Sequence, residues 1–575
     1  MVEDIYDPLT EYANVFRDRF KDVAHDTFND LAQEANVDVE ANRETCRQIY
    51  ADEKALSAVK KSTGWWTAWC IFLWICVVAG IASAIFMEMD TDLSILLTLC
   101  AVAIAIYLLT NVHPRLKALK IERDDFTSEI NKLKKEAWEQ MASLNQLYDW
   151  DVLTRMMSKT VPRLEFDPYF TAQRLADLQQ SYNWDGSFNA ERSVLYSHSG
   201  LINGNPFVIC RTRKMEMGTK TYYGSKTIYW TTTERDSDGK CHTVHHSETL
   251  TASVTAPYPY YYEKTLLIYG NTAAPDLTFY RKKSGLAGKE KSLSFTLEKR
   301  SLRKKARNLE NSDFAMLTNE DFEVAFNTSN RNNNQQYALL FTPLAQESML
   351  KLLKDKTVGY GDDFDFDKNK MINVIIPDHM QGLDLDMNPK QYQNFDYDKA
   401  EAAFYSVNAE YFRAIYFSLA PLLCVPMYQQ IRPQSDIYGT DMKNHSAFWE
   451  HEALANFWGE DKFKHPQCVT SCILKTKQGR RKADDSSTIT VYAHGFRSEQ
   501  RLTYISKFGG DGHWHDVPVY WDKYLPVTGS GSMEIAEDND FKETSITQKD
   551  RISRIHNILK DTNLDFYRRH IASKV

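Results

Sequence analysis

The densest group of residues able to do chemistry is NHSAFWEHEALANFWGEDKFKHPQCVTSC, residues 444–472. His451, His465, Cys468 and Cys472 are the residue types that hold zinc through nitrogen and thiolate donors. They are the candidate metal ligands, and zinc is the cofactor they would take. The spacing His-x2-Cys-x3-Cys departs from a zinc knuckle. HEALA places Ala455 where the second histidine of an HExxH motif would stand. The competing reading is a helix with His445, Trp449 and Glu452 on one side, followed by two cysteines packed as buried thiols on one face of a hairpin.

A second group lies in GGDGHWHDVPVYWDKYLPV, residues 509–527. Asp511, His513 and His515 form a candidate ligand site, because alternate residues of a strand share a face. A Gly-rich hairpin turn is the alternative. GGDG lacks the glycine spacing and the Lys–Ser/Thr end of a phosphate-cradling loop. In CHTVHH, residues 241–246, His242 and His246 share a strand face with Glu248 close by, either as a site or as a solvent-facing edge.

A third signal is charge. Residues 281–307 carry eleven Lys/Arg against two Glu, a net charge of +9 in a chain whose overall charge is −8. Arg281, Lys282, Lys283, Arg303, Lys304 and Lys305 are the candidate contacts for an anionic surface. Lipid headgroups would attract each close basic residue by roughly 1 kcal/mol. A solvated turn, a nucleic acid or an acidic protein are the other readings. The acidic whole-chain balance gives no strong nucleic-acid signal. GDDFDFDKNK, residues 361–370, lacks the spacing and closing Glu of a calcium loop. With no Ser–His–Asp order, nucleophile elbow, dinucleotide loop or kinase set, no catalytic residue is assigned.

What positions these groups starts with two apolar runs. Gly64–Phe86 is 23 residues without a charge and Leu93–Val112 is 20. As helices they span about 35 Å and about 30 Å at ~1.5 Å per residue, the thickness of a hydrocarbon core. Trp65, Trp66 and Trp69 cluster at one end like an interfacial belt, and Tyr107 lies near the far end of the second run. The linker MEMDTD permits only a tight turn. Lys60 and Lys61 precede the pair, and His113, Arg115, Lys117 and Lys120 follow it. Basic flanks belong in the cytoplasm, so both termini are expected there, in a multi-pass cell-membrane protein. The small-residue patches around Gly80 and around Ala101–Ala105 allow close packing, within one hairpin or between copies.

Around the hairpin, residues 1–62 and 113–160 carry helical apolar spacing, which predicts an amphipathic stalk with coiled-coil character. After Leu164 the chain turns strand-like. Ser193–Tyr196, Pro206–Arg213, Thr221–Thr233, Leu250–Val254, Thr265–Tyr269 and Leu293–Leu297 read as strands, with DSDGK at 236–240 as a turn. Further on, Asp321–Phe326, Ala338–Phe341 and Met371–Ile376 read as strands, and Pro343–Lys354 and His445–Phe457 as helices. Cys468–Lys475, Thr488–His494, Arg501–Lys507 and Trp514–Tyr520 read as strands again. Gln548–Ile571 reads as a closing helix. The expected fold class is α+β: a transmembrane helical hairpin (63–112) with its stalk, then cytosolic β-rich domains at 161–308 and 309–535, and a C-terminal helix within 536–575.

NSDFAMLTNEDFEVAFNTSN…QQYALLFTPLAQESMLKLLKDK, residues 311–356, resembles a bacterial family of uncharacterised two-helix membrane proteins with a cytosolic domain of unknown function. The likeness lies mainly within residues 311–376. It rests on a Phe-rich strand at Phe322–Phe326, an acidic turn, and a Leu340–Thr342–Pro343 step, with Phe341 intruding, into the helix Leu344–Leu352. The insertion NTSNRNNNQQ and the region after Tyr392 depart from the family pattern. The resemblance implies location and shape, and no activity.

Nine irregularly spaced cysteines read as reduced thiols, and the polar first sixty residues hold no secretory signal. The expected role is a membrane-anchored binding or scaffold protein. Its partners would be the bilayer, through residues 64–86 and 93–112, and a protein partner or a second copy. The rival expectations are a metal-dependent enzyme built on the His/Cys group and an oligomeric two-helix effector.

Overall fold

The computed structural model describes residues 5–86, 91–307, 314–431, 445–482, 486–538, 553, 557–559 and 567–575. Most of the linker of the apolar pair (87–90) and most of the expected closing helix lie outside the described residues. The chain divides into two compact units, Ala24–Asp149 with Asn388–Asn408, and Met1–Val23 with Trp150–Met387 and Ala409–Val575.

The first unit is helical. One unbroken helix runs over Val39–Phe86, so the polar stalk and the first apolar run are a single rod. The return leg is Thr91–Tyr107, a π-helical turn at Leu108–Val112, and His113–Gln140. Two helices are thus long and apolar enough to cross a membrane. Their apolar windows are only 11% and 17% buried within the protein, whereas the core helix of a soluble protein would be mostly buried. Trp65, Ile71, Phe72, Ile75, Val78, Leu96, Leu99 and Leu109 all face outward. Cys70, Val77, Leu108, Val112 and Leu116 pack between the two legs. A Cβ on Gly80 would sit 3.6 Å from the Ala101 Cβ, so these small residues bring the two helices of one hairpin together. Lower down, Ile49 packs with Leu133, Ala137 and Phe395. Asn42 closes that end, donating to the Phe395 carbonyl at 2.9 Å and accepting from the Tyr397 N–H at 3.0 Å.

The second unit is α+β with two open antiparallel sheets. Its strands are β1 (Leu164–Phe166), β2 (Arg192–Ile202), β3 (Asn205–Arg235), β4 (Cys241–Gly270), β5 (Thr278–Arg281), β6 (Phe364–Asn369) and β7 (Ile372–Pro377). They order as β1-β2-β3-β4-β7-β6-β5. The second sheet orders as β11-β12-β10-β9-β8, from β8 (Ile473–Arg481), β9 (Ser486–Phe508), β10 (Trp514–Glu537), β11 (Tyr567–Arg568) and β12 (Ile571–Lys574). Strands from both sides of the expected 308/309 division share the first sheet, so that boundary does not separate two sheets. The helix Phe448–Trp458 lies between the sheets, with Trp449 and Ala453 in one core and Leu454 and Ala455 in the other.

Three expected strands are helices. Leu293–Leu297 opens the helix Leu293–Arg307, whose Phe295 N–H is capped by Ser292 Oγ at 3.2 Å. Asp321–Phe326, the Phe-rich segment of the family resemblance, lies in the helix Glu320–Phe326. There Asn319 accepts from the Phe322 N–H, and three acids occupy the first turn. Ala338–Phe341 falls at the end of the helix Asn334–Leu340, capped by Asn333. In each case a side-chain cap outweighs the β-leaning aromatic content, and in the first two helices dipole-matched charge adds to it. The chain also ends on a strand: β12 pairs with β10, Glu534 opposite Lys574. The helix Tyr397–Leu423 was not foreseen. Several short expected strands fuse into long ones. β3 and β4, of 31 and 30 residues, stay paired without a register shift from Phe207↔Tyr269 to Arg235↔Cys241, around the DSDGK turn.

Candidate functional site

The expected metal quartet does not assemble. The helix Phe448–Trp458 turns His451 inward, where it is 1% exposed. Its Nε2 lies 2.8 Å from Ser446 Oγ, which also donates to Glu537. Burial pushes the imidazole down to about 4, so it is neutral at physiological pH. His465 Nδ1 accepts from the Gln467 N–H at 3.1 Å in a separate turn. Only Cys468 and Cys472 meet, with their sulfurs 3.7 Å apart. Among the described residues no three His, Cys, Asp or Glu side chains are grouped to hold a metal.

In place of a metal centre, the helix is stitched into both sheets by buried charge. Glu450 accepts from Arg569 at 3.0 Å and from Ser197 Oγ at 3.2 Å. Glu452 accepts from the Val194 N–H at 3.0 Å and from Lys475 at 3.2 Å. Burial raises the Glu452 carboxyl to about 7 against the opposing pull of Lys475. Glu537 binds Arg481 and the Ser446 N–H, which together overcome burial and lower its pKa. His570 sits between Asp151, 3.1 Å away, and Asp538, 3.5 Å away. Burial opposes its charge, but the two carboxylates win and raise it to about 9. Several of these partners are distant in the chain, Glu450 and Arg569 by 119 residues and Glu452 and Val194 by 258, so no local spacing announces them.

The second candidate group marks the tip of a β-ribbon. Asp511 accepts from the His513 N–H at 3.1 Å and pairs with His515 Nε2 at 2.8 Å, which lowers the carboxyl pKa. Asp511 and His515 thus brace the hairpin between β9 and β10. The adjoining Gly510 N–H donates to Glu248 of β4 at 2.6 Å, so two ribbons are tied together here. CHTVHH is likewise spent locally: His242 pairs with Asp236 across the turn at 2.9 Å, and His246 stacks on Trp230.

The ribbons themselves are the unforeseen feature. Beyond their sheets, β3–β4 and β9–β10 continue as two-stranded ladders and pack face to face. Ile228, Leu250 and Ala252 meet Val517 and Val519 in a small core of their own. Gly224 is the closest approach, where any Cβ would overlap the Pro518 carbonyl. Period-two alternation then forces the other face of β9–β10 outward. That face presents Leu502, Tyr504, Phe508, Trp514 and Tyr520, with Trp514 71% exposed. Phe508 packs edge-on to Trp514 at the tip, 5.6 Å between centroids. A contiguous aromatic stripe of this kind is the usual mark of an interaction surface. Alternating aromatic letters in RLTYISKF and WHDVPVY were the signal that could have found it.

Near the roots of the ribbons lies a cleft of about 650 Å³, lined among others by Lys214, Met217, Tyr261, Lys475, His494 and Phe496. The size suits a small ligand or a short peptide segment.

The basic stretch is neutralised in part from within. Arg281 is wholly buried, held by Asp362 and the Phe364 carbonyl, so it is no surface contact. Lys283 pairs with Asp378, and Arg303 with Glu320. Lys305 donates to the Ser329 carbonyl at 2.6 Å. Lys282 and Lys304 are exposed. The intervening helix buries Phe295 and Leu302 and turns Lys299 and Arg303 to acids of the following segment. That is why a net charge of +9 in sequence is not a +9 patch on the surface.

Set beside known proteins, the chain matches no family model, no curated relative and no solved fold, so its function is read from this geometry alone.

Proposed function

We propose that the protein is a membrane-anchored binding module, with the aromatic stripe of β9–β10 as its docking surface for a protein partner. In this reading the two apolar helices cross the bilayer. The basic residues flanking them keep both termini and the α+β unit on the cytoplasmic side. The observation that carries the reading is the ribbon pair. Two strands extend far past their sheet and are stiffened by a second ribbon. Their free face then displays Leu502, Tyr504, Phe508, Trp514 and Tyr520 to solvent. Apolar side chains exposed in register have no use in the fold itself, whereas aromatic anchors dominate binding energy at interfaces. The scattered positions of His451, His465 and the cysteine pair favour this role over a metal-dependent enzyme. The Gly80–Ala101 contact commits a small-residue patch within one hairpin, which favours an anchor over an oligomeric effector.

The test uses the intact chain in membranes with a photo-crosslinking residue at position 514. A discrete protein adduct is expected. Combining Tyr504→Ser with Phe508→Ser should lower its yield at least tenfold, while a crosslinker at position 238, on the other turn, should give none. Adducts to lipid only, or a yield unchanged by the double substitution, would overturn the reading.

A further inference from the structure

The chain's nine cysteines are all free thiols, and one pair among them touches. Cys468 Sγ lies 3.7 Å from Cys472 Sγ, and the loop that carries them is anchored on both sides of the pair. The Cys468 N–H donates to the His465 carbonyl, and the Val469 N–H donates to the Phe496 carbonyl. The Cys472 N–H donates to Glu460 Oε2 at 2.9 Å. Both sulfurs face Gly495 of β9, where a side chain would collide with the two of them; the glycine makes the room in which they meet. Cys472 is fully buried, while Cys468 keeps 8% of its surface exposed.

We propose that Cys468 and Cys472 form a dithiol site that closes reversibly to a disulfide when a small disulfide oxidant, such as oxidised glutathione, reaches it. Cys468 gives up its proton and its thiolate attacks one sulfur of the oxidant. That breaks the oxidant's S–S bond, forms a mixed disulfide and releases the first small thiolate. Cys472 then gives up its proton and attacks the Cys468 sulfur, releasing the second small thiolate. Two protein thiols lose two protons and two electrons, and the oxidant's disulfide is reduced to two thiols. Closure draws in the loop whose Thr470 Oγ1 lies 3.1 Å from the Tyr261 hydroxyl and accepts from the Phe496 N–H at 3.0 Å. Tyr261 and Phe496 are walls of the cleft, so the redox state of the pair reshapes it. The proposal is independent of the docking stripe.

The experiment treats the folded full-length chain, in detergent, with oxidised glutathione and maps every cysteine by peptide mass. The expected product is a 468–472 disulfide without glutathione, reversed by dithiothreitol. Cys472→Ser should stall with glutathione attached to Cys468, and Gly495→Ala should slow closure by tenfold or more. Stable glutathione on Cys468 of the unsubstituted chain would overturn the proposal. So would a pair that reacts only after the chain is unfolded.

Discussion

Glu323 and Arg331 are joined by two short bonds, 2.8 Å and 2.7 Å, with both side chains essentially out of solvent. Arg331 also lies over the Tyr337 ring, 3.9 Å from its centroid. Removing one member leaves an uncompensated charge in the interior, so Glu323→Ala should cost about 3–5 kcal/mol in denaturant unfolding. Replacing both residues by apolar ones of similar volume should recover most of that loss. His570 gives a pH-dependent counterpart. Its pKa is raised from 6.5 to about 9, so its stabilising contribution is fully present below 6.5 and is lost as pH rises through about 9. The deficit of His570→Gln in thermal unfolding should therefore be widest near pH 6, up to about 3 kcal/mol, and should close above pH ~10. These pairs were illegible in the sequence, because each joins residues whose distance along the chain says nothing of their contact. His451, by contrast, was singled out for its letter. The residue type was a fair guide to chemistry, but the helix that carries it points it into a core.

At the scale of elements, the period-two pattern found strands at both sheets, and DSDGK correctly placed the turn between β3 and β4. It did not reveal that the flanking strands were so long, because their outer halves are rich in Thr and Tyr with little apolar alternation to count. Nor did it reveal that two ribbons pack together, which depends on Gly224 lying against Pro518. Gly224→Val should separate the ribbons. The expected readout is faster hydrogen exchange at Ile228, Leu250, Val517 and Val519, with the exchange of Val208 and Ile268 in the sheet unchanged. Equal protection in both forms would mean that the crossing tolerates a side chain. The three misread strands teach the complementary lesson. Asn319, Asn333 and Ser292 each stand where a cap belongs, and a reading by caps before composition would have made those segments helical.

At the scale of the whole molecule, the apolar pair was the most legible feature, because charge-free length is a property of sequence alone. Deleting residues 64–112 should move the chain from the membrane pellet to the soluble fraction. In the intact chain, an impermeant thiol reagent applied from outside should leave the exposed Cys241 unmodified, as cytoplasmic placement requires. Labelling of Cys241 in sealed cells would reverse the proposed topology.

The strand order of the larger sheet also has a consequence for synthesis. β3 and β4 are neighbours in sequence and can zip from their turn as soon as both have left the ribosome. The next partner of β4 is β7, whose first residue, Ile372, is translated roughly a hundred residues after Gly270, a delay on the order of 5–20 s. Throughout that interval the nascent protein carries an unpaired strand margin at Leu267–Gly270. This is the stage at which a chaperone would be needed and at which slowed translation would do most harm.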